Sequence, residues 1–206
     1  LTSHASLMGC EEMGDVPPTH PRYASLMARK RLTDAASEGM LAESALIAHG
    51  RGEAFDYLLG ERTCDAARKA IGEVAARLLS AERPIISVNG NTVALAGPQL
   101  LACAALLNCP VEVNIYYRTP ERMKALLSAL ELQREEAASL YPELSQQISV
   151  VPILGATPDG RIPNLDGPRA NCHSNGILAA DVILVPLEDG DRCEALVAMG
   201  MTVCAV

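Results

Sequence analysis

Several short groups of residues in this 206-residue sequence have the types and spacing to handle an anionic ligand. In PIISVNGN (residues 84–91), the apolar run Ile85, Ile86 and Val88 ends in Asn89-Gly90-Asn91. Such a turn offers backbone N–H groups, two amide side chains and a helix N-terminus, a set that suits a phosphate. The plainer reading is an ordinary strand-to-helix turn with an asparagine cap. In HGRGEAFDY (49–57), Arg51 stands between Gly50 and Gly52 just before a helix begins at Glu53. A cation at a helix N-terminus is unfavourable unless an anion lies between them, the alternative being a salt bridge to Glu53 or Asp56. Arg118, in YYRT (116–119), follows an apolar run and precedes the next helix. Glu188 and Asp189 form the exit turn of DVILV (181–185) and could hold Mg²⁺ or accept a proton from an amine.

The elements that must position these residues follow from periodicity. Tyr23, Leu26, Met27 and Leu32 predict a helix from about Pro21 into the 30s, with Arg22, Arg29, Lys30 and Arg31 on a basic face that is either solvated or anion-binding. A helix over Leu41–His49 is stopped at Gly50. A long amphipathic helix over Cys64–Ser80 has Ala67, Ala70, Ile71, Val74, Leu78 and Leu79 as its expected buried face. Strands are predicted at Pro84–Val88, Pro110–Ile115, Ile148–Leu154, Asp181–Val185 and Thr202–Val206. Helices lie between them over Val93–Leu107, broken at Gly97-Pro98, over Thr119 to about Leu140, and over Asp191–Met199, where Asp191 and Glu194 have capping-box spacing. Residues 155–179 read as a long loop, more often a binding loop than filler, with Arg161, Arg169 and His173 as its polar candidates. Strand–helix alternation predicts a Rossmann-like α/β domain with a mainly parallel sheet over 83–206. An N-terminal helical annex over 20–82 and a mobile extension over 1–19 precede it.

Bulk composition excludes several function classes. A net charge of −8 argues against a general nucleic-acid surface. No run approaches the roughly 18 apolar residues of a membrane span, and the N-terminus lacks signal-peptide order, so a cytoplasmic protein is expected. Seven cysteines without a C-x-x-C spacing indicate reduced thiols; Cys103 and Cys109 are expected in the core, and Cys172 beside His173 has no fixed partner for nucleophilic work. Among 17 basic residues only Lys30, Lys69 and Lys124 are lysines, so anion contacts would be mostly guanidinium forks, although a codon-composition bias gives the same excess. Neither G-x-G-x-x-G nor G-x-x-x-x-G-K-[ST] occurs.

Taken together, HPRYASL (20–26), ALIAHGRGEAFDYLLGER (45–62), ISVNGN (86–91), YYRT (116–119), RIP (161–163) and ADVILVPLEDGDR (180–192) resemble the archaeal phosphopantothenate synthetases, the 4-phosphopantoate–β-alanine ligase family. The resemblance spans about residues 20–206. It implies a cytoplasmic homodimer of Rossmann-like fold that uses ATP to activate 4-phosphopantoate as an acyl adenylate, releasing diphosphate. The amine of β-alanine then displaces AMP, giving 4′-phosphopantothenate for coenzyme A synthesis. The family's ATP-contacting arginines fall on Arg29 and Arg51. Asn89, Gly90, Asn91 and Arg118 are then the candidates for the substrate phosphate, and Glu188 and Asp189 for Mg²⁺ or for deprotonating the amine. Neither nucleic acid nor a membrane is an expected partner.

The sequence departs from the family pattern at Cys172-His173-Ser174, where an acidic stretch is expected. The family also continues past its last strand into an Asp-Leu-Asn-Pro-Leu-Ser-Arg-like segment that these residues do not include. A C-terminally truncated site that binds ATP weakly is therefore expected of this sequence by itself. Two rivals remain at this level: a non-catalytic nucleotide- or phosphate-binding regulatory module, and an NAD(P) oxidoreductase, which the missing glycine fingerprint disfavours.

Overall fold

Short β-branched runs make the first sheet of this computed structural model, which describes residues 16–42, 44–46, 58–115, 119–155, 182–185 and 202–205. Strands β1 (Ile86–Val88), β2 (Val111–Val113) and β3 (Ile153–Leu154) pair in parallel in that order, with Ile86 opposite Val111, Val88 opposite Val113, and Val111 opposite Ile153. Parallel neighbours need crossover connections, and helices supply them: α3 (Gly90–Leu107) between β1 and β2, and α4 (Pro120–Leu140) on the way to β3. Right-handed crossovers between successive strands put both helices on one face of the sheet, where they pack on each other. The core lies in that layer. Val88, Val111 and Val113 meet Val93, Leu101 and Ala104 of α3, and Met123, Leu126 and Leu130 of α4, whose spacing of three and four keeps them on one helical stripe. Helix α1 (Tyr23–Ser37) packs on α3 from outside. Strands β4 (Val182–Val185) and β5 (Thr202–Ala205) form a second, two-stranded parallel sheet. The α/β class with a parallel sheet and flanking helices is therefore as the alternation predicts.

Several expectations need correction. The third strand starts at Ile153, not Ile148. Pro142 opens a 3-10 turn (Pro142–Leu144) that leads into helix α5 (Ser145–Val150), so Ile148 is fully buried from a helix while Val150 is exposed. Arg134 of α4 fixes this end: its guanidinium donates to the carbonyl of Ile148 and, at 3.1 Å, to that of Val151, beyond the last turn of α5. Glu131 holds the guanidinium from the other side, and this hydrogen bond keeps the Glu131 carboxyl below the usual glutamate range. Arg134→Ala is expected to cost about 1.5 kcal/mol, because a charged donor leaves two backbone acceptors behind. A urea midpoint equal to wild type would show those carbonyls to be satisfied by water.

Helix α3 begins at Gly90 rather than Val93, and its break falls at Ala96 (φ −145°, ψ 20°), one residue before Gly97-Pro98. Pro98 has no N–H for the preceding turn. At the Ala96 kink the side chain of Gln133 enters from α4 and donates from Nε2 to the Val93 carbonyl at 3.0 Å, one residue before the Ala94 carbonyl that a residue-98 N–H would reach. Gly97 makes room for it, since a Cβ there would sit 1.8 Å from Gln133 Oε1. By length and composition α3 could cross a membrane, which the apolar-run count did not anticipate; its apolar character matches its central place in the core, with Val93, Leu101 and Ala104 fully buried.

The expected apolar face of α2 (Asp65–Ser80) is not buried: Ile71 is 62% and Leu79 78% exposed, because none of the described elements packs extensively on that helix. The two expected core thiols also separate. Cys109 is buried, and the loss of solvent raises its pKa to about 11, whereas Cys103, on the outer side of α3, is exposed.

Candidate functional site

The Asn89-Gly90-Asn91 turn stands at the carboxyl end of β1, where an open parallel sheet places its ligands. Asn89 is the N-cap of α3: its Oδ1 accepts from the Thr92 backbone N–H at 3.0 Å, and its own N–H donates to Thr92 Oγ1 at 2.8 Å. This reciprocal capping box commits the Asn89 side-chain oxygen to the helix, so the cap reading of that atom is correct. Gly90 is buried for a different reason. A Cβ on it would lie 2.7 Å from the Met40 carbonyl oxygen and 3.2 Å from Leu41 Cγ.

The chain around residue 40 reaches the turn because α1 ends abruptly. Gly39 adopts a left-handed φ of 78°, its N–H donates to the Ala36 carbonyl, and the Met40 N–H donates to that of Ala35, folding the chain back over the helix end. Met40 and Leu41 are then buried against the sheet edge. On the other side, β2 leads into Asn114, whose N–H donates to the Val88 carbonyl at 2.8 Å, and Ile115 follows. Thr119 then caps α4 by accepting from the Arg122 N–H at 3.2 Å, with Pro120 in the first turn.

These segments border an open cavity of about 220 Å³. Met40, Leu41, Ala42, Ala45 and Ile115 contribute apolar lining, and Ser44, Asn89, Gly90, Asn91 and Arg122 line it as well. A lining that mixes hydrocarbon with amides and a guanidinium suits a small anion that carries a branched hydrocarbon. Neither Arg122 nor the residue-40 wall stands out in the sequence. Only the placement of Arg122 in the first turn of a helix that follows a strand end could have marked it.

Arg29 lies apart from this cavity. On α1 it shares a face with Arg22 and Ser25, and all three bear on Glu61. Arg22 Nε donates to Glu61 Oε1 at 2.5 Å, and Ser25 Oγ to the same oxygen at 3.2 Å. Glu61 reaches them from a left-handed backbone conformation (φ 54°) that follows Gly60 (φ 67°). The Arg22 hydrogen bond, chiefly, and the nearby Arg29 charge hold the Glu61 carboxyl below the usual glutamate range. A depressed pKa means that the ionised form is favoured by folding, so this stabilisation is present above the ordinary carboxylate range and is lost as pH falls through the depressed value. The melting-temperature advantage of wild type over Glu61→Gln should accordingly shrink with acidification; a constant difference from pH 7 to 3 would show that the ion pair is immaterial.

Glu112, opposite Val111 and Val113 in the alternation of β2, is fully buried on the other side of the sheet and accepts from Ser87 Oγ at 2.6 Å. Arg51, Arg118, Glu188 and Asp189, like Arg161, Arg169, Cys172 and His173, lie outside the described residues. Among the described residues no group of three His, Cys, Asp or Glu side chains could hold a metal ion. Of the residues assigned to the substrate phosphate, the structure thus brings Asn89, Gly90 and Asn91 to one cavity.

Residues 66–206 match the family described as phosphopantothenate/pantothenate synthetase. The chain is 46% identical over 194 residues to the 4-phosphopantoate–β-alanine ligase of Thermococcus kodakarensis, covering 94% of this chain and 69% of that protein. The ligase of the same name from Thermococcus onnurineus is 45% identical over the same shares, and that of Methanosarcina mazei 42% identical over 94% of this chain and 70% of its own.

Proposed function

The chain belongs to the phosphopantothenate/pantothenate synthetase family, and from that premise we propose that it is an ATP-dependent 4-phosphopantoate–β-alanine ligase of coenzyme A synthesis. Similarity along 94% of the chain to a relative named for this reaction carries the reading. In the first step a carboxylate oxygen of 4-phosphopantoate attacks the α-phosphorus of ATP, and the bond to diphosphate breaks. In the second, the β-alanine nitrogen attacks the acyl carbon, the C–O bond to AMP breaks, and the amine proton passes to a base.

Arg29 and Arg51 hold the ATP phosphates in this proposal. The cavity of the Asn89–Asn91 turn receives 4-phosphopantoate, and Arg118 adds a cation for its phosphate. With the Asn89 oxygen committed to its helix, the turn contributes through backbone N–H groups and the Asn91 amide. Glu188 and Asp189 serve the amine or a metal. Mg²⁺, when bound with ATP, neutralises phosphate charge. A homodimer in the cytoplasm completes the proposal.

The test is AMP formation from ATP, measured in the full-length protein with and without each acid and amine. AMP should appear only when 4-phosphopantoate and β-alanine are both present. AMP formation with other hydroxy acids or amines but not these, or tight ATP binding without any AMP, would overturn the assignment, the latter in favour of a regulatory binding module.

A further inference from the structure

Arg122 is the one charged side chain among the described residues that line the cavity. Its backbone is fixed by the Thr119 cap, so its side chain comes from the first turn of α4. Met40, Leu41 and Ile115 add hydrocarbon to the same lining. A ligand that matches both kinds of lining has a branched apolar centre and an anionic end. Pantoate carries two methyl groups on a quaternary carbon, and its 4-phosphate adds a dianionic end to the carboxylate that reacts.

We propose that Arg122 selects the phosphorylated acid over free pantoate by pairing with the 4-phosphate, while Met40, Leu41 and Ile115 receive the methyl groups. This rests on the cavity being the acid's site in the ligase reading, and it adds the residue that tells the two acids apart. A planar guanidinium presents parallel N–H donors to two phosphate oxygens, so a lysine substitute keeps the charge but loses the fork.

Calorimetric titration of the full-length protein with 4-phosphopantoate, and separately with pantoate, tests the assignment without requiring turnover. Wild type should prefer 4-phosphopantoate. Arg122→Ala and the longer Arg122→Gln should weaken 4-phosphopantoate by about ten- to a hundredfold and change pantoate and ATP little, with Arg122→Lys in between. Equal weakening of both acids would place the guanidinium on the carboxylate or on the fold, and a selective loss of ATP would place it on the nucleotide; either result overturns the proposal. Two variants of different size guard against one that does not fold. Selective loss of 4-phosphopantoate binding in a protein that forms no AMP would refute the ligase reading and leave the Arg122 assignment standing.

Discussion

Gly90→Ala is expected to lose about 2–3 kcal/mol of stability and, with it, the shape of the cavity, because the added Cβ is aimed at backbone rather than at a flexible side chain. It would stand 2.7 Å from the Met40 carbonyl oxygen and 3.2 Å from Leu41 Cγ. Neither can give way cheaply. The Met40 N–H is bonded to the Ala35 carbonyl at the end of α1, and both side chains are buried. Met40 and Leu41 must therefore move together, and both line the cavity. Denaturation with urea gives the stability loss, and titration with 4-phosphopantoate the accompanying loss of affinity. Gly39→Ala is the informative partner: no atom lies within 4 Å of its Cβ, so its cost is limited to the left-handed φ, about 1 kcal/mol. A Gly90→Ala variant as stable as wild type, with unchanged affinity, would mean that the turn and residue 40 do not pack as described.

Arg29→Ala and Arg51→Ala are each expected to weaken ATP by about ten- to a hundredfold, the loss of one charge-assisted phosphate contact. Pantoate and 4-phosphopantoate should bind nearly as in wild type, since Arg29 lies outside their cavity. Arg29 also places its charge near Glu61, so part of the effect of Arg29→Ala could be structural. Thermal melting separates the two contributions. A large fall in melting temperature with unchanged ATP affinity would assign the residue to the Glu61 cluster rather than to the nucleotide. For Arg51, the same outcome would favour the salt bridge to Glu53 or Asp56.

Much of the fold could be read from the sequence because the deciding forces are local. Ile86 to Val88 and Val111 to Val113 alternate β-branched residues with Ser87 and Glu112 over a length too short for a helix. The stripe of Met123, Leu126 and Leu130 repeats at helical spacing, and Thr119-Pro120 marks a helix start through hydrogen bonds and dihedral limits within four residues. The same locality explains where reading failed. Ile148 to Leu154 has the composition of a strand, but its first residues are drawn into α5 by Pro142 and by an arginine 14 residues upstream. The apolar positions of α2 have an amphipathic spacing, and spacing cannot say whether anything covers them.

The sequence by itself determined the strand–helix alternation, the position of the Asn89–Asn91 turn at a strand end, and, through its motifs, the family. Tertiary structure decided what that turn faces. The contact of Gly90 with Met40 spans fifty residues, Gln133 fills the α3 kink left by Pro98, and Arg122 shares a cavity with Asn91 although a whole helix and strand separate them. Periodicity reports which face of an element is apolar within a few turns. Which faces and which charges meet depends on crossover handedness and on where α1 stops, and those are settled only when the layers pack.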